Sequence, residues 1–228
     1  MTTAPQAGSA PRLDRDGEVF VLNLGDGENR FHPDWVGAVD AALAEVEAAE
    51  GQRALVTTAT GKFFSNGLDL DWLGAHAEQH DAYIADAERL FARLLALPVI
   101  TVVAIQGHAF AAGAMLTLSH DFRVMRADRG FWCLPEIDID MPFTHGMNAL
   151  ITARLTPQTA HEAMLTGRRY GGADAHGAGI VDHAVPELEV LPAAIELARA
   201  NTSKAGTTLA TIKTRLYEDA LSELATPR

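Results

Sequence analysis

Three short segments of the chain carry residues in arrangements that chemistry can use. The segment FWCLPEIDIDMPF places Glu136 directly after Pro135, with Asp138 and Asp140 alternating with Ile137 and Ile139. Two readings stand side by side. The segment is a strand edge or loop with three solvated carboxylates, or Glu136 is a partly buried base whose pKa is raised by Leu134, Ile137, Met141 and Phe143. The other two segments, ALVTTATGKFFSNGLDLDWL and VITVVAIQGHAFAAGAML, each run from an apolar strand through a glycine-containing turn to a helix start. Amides at a helix start have no intrahelical acceptor and sit at the positive end of its dipole. Two such starts facing each other would cradle an oxyanion. The same turns are also ordinary connections in α/β proteins, so neither is diagnostic by itself.

The histidines and methionines divide in the same way. His76 and His80 lie four residues apart and would share a helix face as metal ligands, with Asp81 nearby. No glutamate follows the first histidine as a general base and no third ligand is evident, so a solvated polar segment is the plainer reading. His108 and His145 each neighbour a candidate segment, as catalytic groups or as packed, hydrogen-bonded side chains. Met115, Met141 and Met147 read as core or pocket wall. The Gly61-Lys62 pair lacks the spacing of a phosphate-binding P-loop.

Strand-like and helix-like stretches alternate around these segments. Glu18–Leu24 alternates as a strand and ends at a GDGEN turn. Pro33 suits a first helical turn, and Trp35, Val39, Leu43 and Val46 continue as an apolar stripe. Ala54–Thr57 reads as a buried strand, followed by the turn TGKFFSNG and a short helix from Leu68. A long helix is expected from Asp81 to Leu97, stopped by Pro98, and then a doubly buried strand over Val99–Ile105. The stretch AFAAGAMLTLS reads as a small-residue helix. Short strands follow at Phe122–Met125, Phe131–Cys133 and Ile180–Ala184. Helices are expected over 146–155, 158–166, 173–178, 188–202 and 206–222. The alternation implies an α/β fold with parallel pairing.

Composition narrows the class. A chain of 228 residues with 48% hydrophobic content suits one domain, and it buries about 70% of its unfolded surface without a disulfide or metal staple. The net charge of −12 argues against a nucleic-acid or anionic-membrane partner. No apolar run approaches the roughly 20 residues of a membrane span. The lone Cys133 points to a reducing compartment. Residues 1–12 are expected to be a disordered leader, 13–186 a core and 187–228 a helical module. Neither a secretory signal nor a peroxisomal S-K-L ending is read, so a cytoplasmic location is expected.

Taken in order, the segments resemble the crotonase family, the enoyl-CoA hydratase/isomerase superfamily. The matching runs are Gly61–Leu70, Gln106–Gly113, Ser119–Arg123 and Pro135–Ile139, with Gly167 and Ala178–Asp182 later. The resemblance covers roughly Glu18 to Pro186. It implies a crotonase-like spiral of ββα units with a helical C-terminal trimerisation region, assembled as a homotrimer or dimer of trimers. It also implies an acyl-CoA substrate, whose coenzyme A is not a separate cofactor, and a place in the β-oxidation of fatty acids. By position, the backbone N–H groups of Leu68 and Ala112 form the oxyanion hole and Glu136 is the acid/base. Lys62, Phe64, Asn66, Gly67 and Gly113 are implied in substrate binding, as are Met115, Met141 and Phe143. Lys62 is the first candidate for the coenzyme A phosphates, followed by Arg30, Arg126, Lys213 and Arg215.

One departure bears on the reaction. Hydratases of the family carry a second glutamate where this chain has Met115. The strings around the site are similar to those of monofunctional Δ3,Δ2-enoyl-CoA isomerases, in which one glutamate moves a proton from C2 to C4. A hydratase, thioesterase or decarboxylase of the same family, and a non-catalytic acyl-CoA-binding protein, are the alternatives.

Overall fold

A computed structural model describes residues 8–226. Two sheets organise it. The larger one takes β1 (Arg12–Asp16), β2 (Val19–Asn23), β3 (Ala54–Thr58), β5 (Ile100–Ile105), β7 (Phe122–Arg126) and β9 (His183–Val185), in the order β1-β2-β3-β5-β7-β9. All pairs are parallel except β1 with β2. The smaller sheet is parallel throughout, in the order β4 (Phe63–Ser65), β6 (His108–Phe110), β8 (Trp132–Cys133).

The chain alternates between them. β3, β5 and β7 each hand over within a few residues to β4, β6 and β8, and a helical segment follows each small-sheet strand. After β4 come α2 (Leu70–Ala75) and α3 (His80–Ala96); after β6 comes α4 (Ala112–Leu118); after β8 come a 3₁₀ turn, Glu136–Ile139, and α5 (His145–Arg154). This is the ββα spiral implied by the resemblance. Because β4, β6 and β8 are parallel, their carboxyl ends share one edge, where ligands of parallel sheets collect.

Strand alternation supplies the core. Val56, Val102, Ala104 and Val124 face one side of the large sheet, against Val190, Ala194 and Ala198 of α8 (Glu187–Arg199). Leu55, Val103, Ile105 and Met125 face the other, against α1 (Pro33–Ala48) and α3. Strands covered on both faces must read as apolar runs, which is why they were readable. The charged β1 is different: it is an exposed edge and belongs to the sheet only by backbone pairing. Of the leader read over 1–12, residues 1–7 lie outside the described residues. Ser9 is tied to Asp26 by its amide at 2.7 Å and its hydroxyl at 3.0 Å, and Arg12 opens β1.

Several boundaries move. The turn expected over 60–67 contains β4, and Ala109–Phe110, expected in a helix, lie in β6. Three-residue strands are too short to display a period and exist because their neighbours pair with them. α6 (Pro157–Thr166) and α7 (Gly172–Gly177) fall within a residue of expectation. The single helix expected over 206–222 is two, α9 (Thr207–Leu216) and α10 (Glu218–Leu224). Tyr217, at φ −113°, breaks them apart while its hydroxyl accepts a hydrogen bond from Arg154.

Lys213 on α9 is 3% exposed, its ammonium donating to Asp121 at 2.9 Å and to the Val99 carbonyl at 3.2 Å. It is therefore a clasp between the C-terminal helices and the large sheet, not a phosphate ligand. Asp121→Ala leaves this ammonium buried and unpaired. The expected loss is about 3–5 kcal/mol in urea-unfolding free energy, partly restored by adding Lys213→Met.

Candidate active site

The carboxyl edge of the small sheet is built backbone against backbone. After β4, Ser65 donates its hydroxyl to the Asn29 carbonyl at 2.7 Å and accepts the Gly67 amide at 3.2 Å. The Asn66 amide donates to the Glu28 carbonyl, and the Phe31 amide to the Gly67 carbonyl, each at 2.9 Å. These bonds strap the turn to the loop before α1. Gly67 has φ +82°, and a Cβ there would sit 3.0 Å from both the Ala112 nitrogen and the Phe110 carbonyl oxygen. Gly113 is tighter: its Cβ would meet the Ser65 carbonyl oxygen at 2.5 Å. The two glycines thus let the first turn lie directly on the second.

Ala111 makes the second turn, at φ +51° and ψ −126°. An alanine at positive φ costs of order 1 kcal/mol or more. It is held there by its amide on the Cys133 carbonyl at 3.1 Å and by its own carbonyl, which accepts the Ala114 and Met115 amides. Among the described residues, the amides of Leu68 and Ala112 have no hydrogen-bond acceptor. Leu68 is fixed from its other side, because the Asp69 amide donates to the Tyr83 hydroxyl at 2.7 Å and the Asp69 carboxylate caps Trp72 of α2.

Glu136 opens the 3₁₀ turn after β8. It is 7% exposed, and its Oε2 is buried with no hydrogen-bond partner. Burial pushes its pKa up to about 7. Of the four apolar neighbours expected to shield it, Leu134 is buried and Met141 and Phe143 line the same cavity, but Ile137 is 55% exposed. Successive side chains of a 3₁₀ turn point about 120° apart, so Glu136 turns inward while Ile137 turns out.

A cavity of about 440 Å³ collects these groups. Asn66, Leu68, Ala112, Met115, Glu136, Met141 and Phe143 all line it. Gly67 and Gly113 do not; their part is to permit the backbone approach. Phe64, expected among the binding residues, is wholly buried in the core, turned away from Phe63 by strand alternation. Lys62 lies outside the cavity, at the opposite end of the small sheet, where it rests 4.9 Å over the Phe63 ring and lines a separate hollow with His108 and Arg129. His108 has its pKa lowered, first by burial and then by Lys62, Arg129 and Arg169. His145 is exposed and lines no part of the cavity.

Two of the other candidate cations are already engaged. Arg30 is paired with Glu28 and Asp71, and Arg126 with Asp128 and Glu187. Missed by the sequence reading were Leu70, His80 and Ile84, brought to the cavity lining by α2 and α3. His80 is half exposed and bonded to Asp81, and only the path of α3 brings it to the cavity lining. His76 stacks on Trp72 at 4.3 Å instead of sharing a ligand face with it. Among the described residues, no cluster of three His, Cys, Asp or Glu is placed to hold a metal ion.

Comparison with known proteins gives a consistent result. The model of the enoyl-CoA hydratase/isomerase family matches residues 15–228. The peroxisomal enoyl-CoA delta isomerase 2 of Arabidopsis thaliana is 38% identical over 221 residues, covering 91% of this chain and 92% of its own. A probable enoyl-CoA hydratase of Mycobacterium tuberculosis superposes with a TM-score of 0.88 at 28% identity, covering 96% of this chain and 93% of its own. The human mitochondrial Δ3-Δ2-enoyl-CoA isomerase shares the fold, with a TM-score of 0.87 at 22% identity over 95% of this chain and 86% of its own.

Two outcomes follow from this geometry. Gly113→Ala drives a methyl group into the Ser65 carbonyl, so it is expected to lower thermal stability by about 1–3 kcal/mol and weaken acyl-CoA binding in calorimetry. Glu136→Gln removes a carboxyl whose folded pKa of about 7 exceeds the ordinary 4.5. A group raised in this way stabilises most below its unfolded pKa, and that benefit is lost as pH rises towards 7. The glutamine variant is therefore expected to be the more stable above pH ~7, by up to about 3 kcal/mol. The difference should shrink to nothing below pH ~4.5, as read from melting curves across pH.

Proposed function

The chain belongs to the enoyl-CoA hydratase/isomerase family, and from that premise we propose that it works as a Δ3,Δ2-enoyl-CoA isomerase, moving a double bond from C3–C4 to C2–C3. The observation that carries this reading is the solitary state of Glu136. Among the described residues it is the one buried carboxyl lining the cavity, and the only other acid there, Asp140, is exposed. Hydration divides its work between two carboxylates, whereas an allylic shift needs one base. Met115, buried at 1% exposure in the cavity wall, supplies no proton acceptor.

In the proposed reaction a 3-enoyl-CoA binds with its thioester oxygen between the amides of Leu68 and Ala112. Glu136 takes a proton from C2, and the electrons move into a dienolate whose oxygen charge the two amides stabilise. The same carboxyl then returns the proton to C4, so nothing is gained or lost. Each oxyanion donor is worth roughly 10²–10³ in rate. A carboxyl with a raised pKa is the better match for a carbon acid, because proton transfer is less uphill.

Lys62, outside the cavity, is proposed for the coenzyme A phosphates, which the pantetheine arm holds far from the thioester; among the described residues it has no carboxylate within ion-pair distance. Arg215 is the other candidate cation for which, among the described residues, no carboxylate lies within ion-pair distance. Assembly as a homotrimer or dimer of trimers belongs to the same proposal, as do a cytoplasmic setting and a role in β-oxidation. The lone Cys133 is a buried thiol whose pKa burial pushes up to about 11, and it takes no part in the proposed chemistry.

The test is Glu136→Gln assayed with 3-hexenoyl-CoA. Turnover is expected to fall by roughly 10²–10⁴-fold, and near-normal turnover overturns the assignment. In the native enzyme kcat/KM should drop about tenfold per unit as pH falls below ~7, because the base must be ionised to accept the C2 proton. Hydroxyacyl product from 2-enoyl-CoA, or free coenzyme A, at a comparable rate would count against an isomerase.

A further inference from the structure

One wall of the cavity has a second side. The segment running from the 3₁₀ turn to α5 faces the 440 Å³ cavity with one surface. With the other it faces a groove of about 500 Å³. Glu136, Asp140, Met141, Pro142 and Phe143 line both. The groove is completed by Ile137, Asn148 and two residues of α6, Met164 and Leu165. Ile137 and Leu165 are 55% and 60% exposed, so the groove carries apolar surface open to an apolar ligand.

Among the described residues, this partition is hydrogen-bonded only at its ends, while Phe143 packs on the core. At the near end the Asp138 amide donates to the Pro135 carbonyl at 2.9 Å and the Met141 amide to the Glu136 carbonyl at 3.1 Å, with Asp140 at φ +53° making the turn. At the far end Thr144 caps α5, accepting the Met147 amide at 2.9 Å and donating to the buried Glu88. Between them Pro142 has no amide to give, and among the described residues the Phe143 amide has no acceptor. A span held in this way can shift sideways at little cost in hydrogen bonds.

Resting on the isomerase reading, we propose that the tail of a long acyl chain passes between Met141 and Phe143 and lies in this outer groove, against Met164 and Leu165. The inner cavity then serves the reacting end of every substrate, and the groove serves only chains that outgrow it. Its chemistry suits a hydrocarbon tail and nothing charged. The lining has no cation, so it does not recruit a phosphate or carboxylate, and its acids, Glu136 and Asp140, belong to the partition itself. Its continuity with the cavity through five shared residues favours a flexible chain already anchored inside over a separate partner.

Leu165→Trp tests this, because the position is exposed enough to take a larger ring without disturbing the core. The measurement is kcat/KM for 3-hexenoyl-, 3-dodecenoyl- and 3-hexadecenoyl-CoA in both proteins. Losing the burial of a few methylenes should cost the longest substrate about tenfold or more. The hexenoyl substrate should be unaffected. Equal effects on all lengths, or no effect on the longest, overturn the proposal. So does a changed molar mass by light scattering, which would make the groove a contact between copies. Calorimetric binding of hexadecanoyl- against hexanoyl-CoA repeats the comparison without turnover. It separates failure of the groove from failure of the isomerase reading: wild-type turnover of 3-hexenoyl-CoA with no chain-length effect of the variant sinks only the groove.

Discussion

Backbone pressed on backbone is the constraint from which the rest of this structure follows. Ser65 meets Gly113 at a separation that leaves no room for a methyl group, and Gly67 meets Ala112 and Phe110 at one that barely admits it. Nothing in either segment alone requires this. It arises because β4 and β6 are neighbouring parallel strands, so the turns at their carboxyl ends emerge side by side. Once they do, two amides without acceptors point from adjacent turns. The positive φ of Ala111 is sustained by the hydrogen bonds on either side of it, and its strain is distributed over a rigid neighbourhood.

The third strand of the small sheet adds the acid. β8 ends at the same edge, and the 3₁₀ turn after it brings Glu136 into an apolar hollow with an oxygen left unbonded. The same burial that lifts its pKa to about 7 destabilises its ionised form in the resting protein. This is the usual tension between a functional carboxyl and a stable fold, and here the surrounding backbone frame bears it. A net charge of −12 says little about the ligand, because the groups that would meet an anionic thioester oxygen are amides, whose partial charges do not enter the count.

Much of this was legible from residues alone, and the limits have identifiable causes. β3 and β5 announce themselves because both faces are buried, and α1 because Pro33 and a clean apolar stripe mark it. β4 and β6 are silent, since three residues cannot express a period of two, and β1 reads as a polar leader because its stability is in its pairing. Phe64 sits in the middle of a recognised motif, yet it is core; motif membership does not say which way a strand points a side chain. Lys213 is the converse case, a lysine that composition assigns to the surface and tertiary structure buries on Asp121.

By itself the sequence determined the class of fold, the three segments that matter, and the pairing of one glutamate with a methionine where a second acid would stand. These are properties of residue type and order, carried by hydrophobic period and by glycines that only certain turns require. Tertiary structure alone decided that the three segments meet, that His80 lines the cavity while His145 and Lys62 do not, and that the wall beyond Glu136 has an outer face. Such facts depend on which strands lie side by side and at what register. Long-range pairing is set by the whole core at once, and no local stretch of residues encodes it.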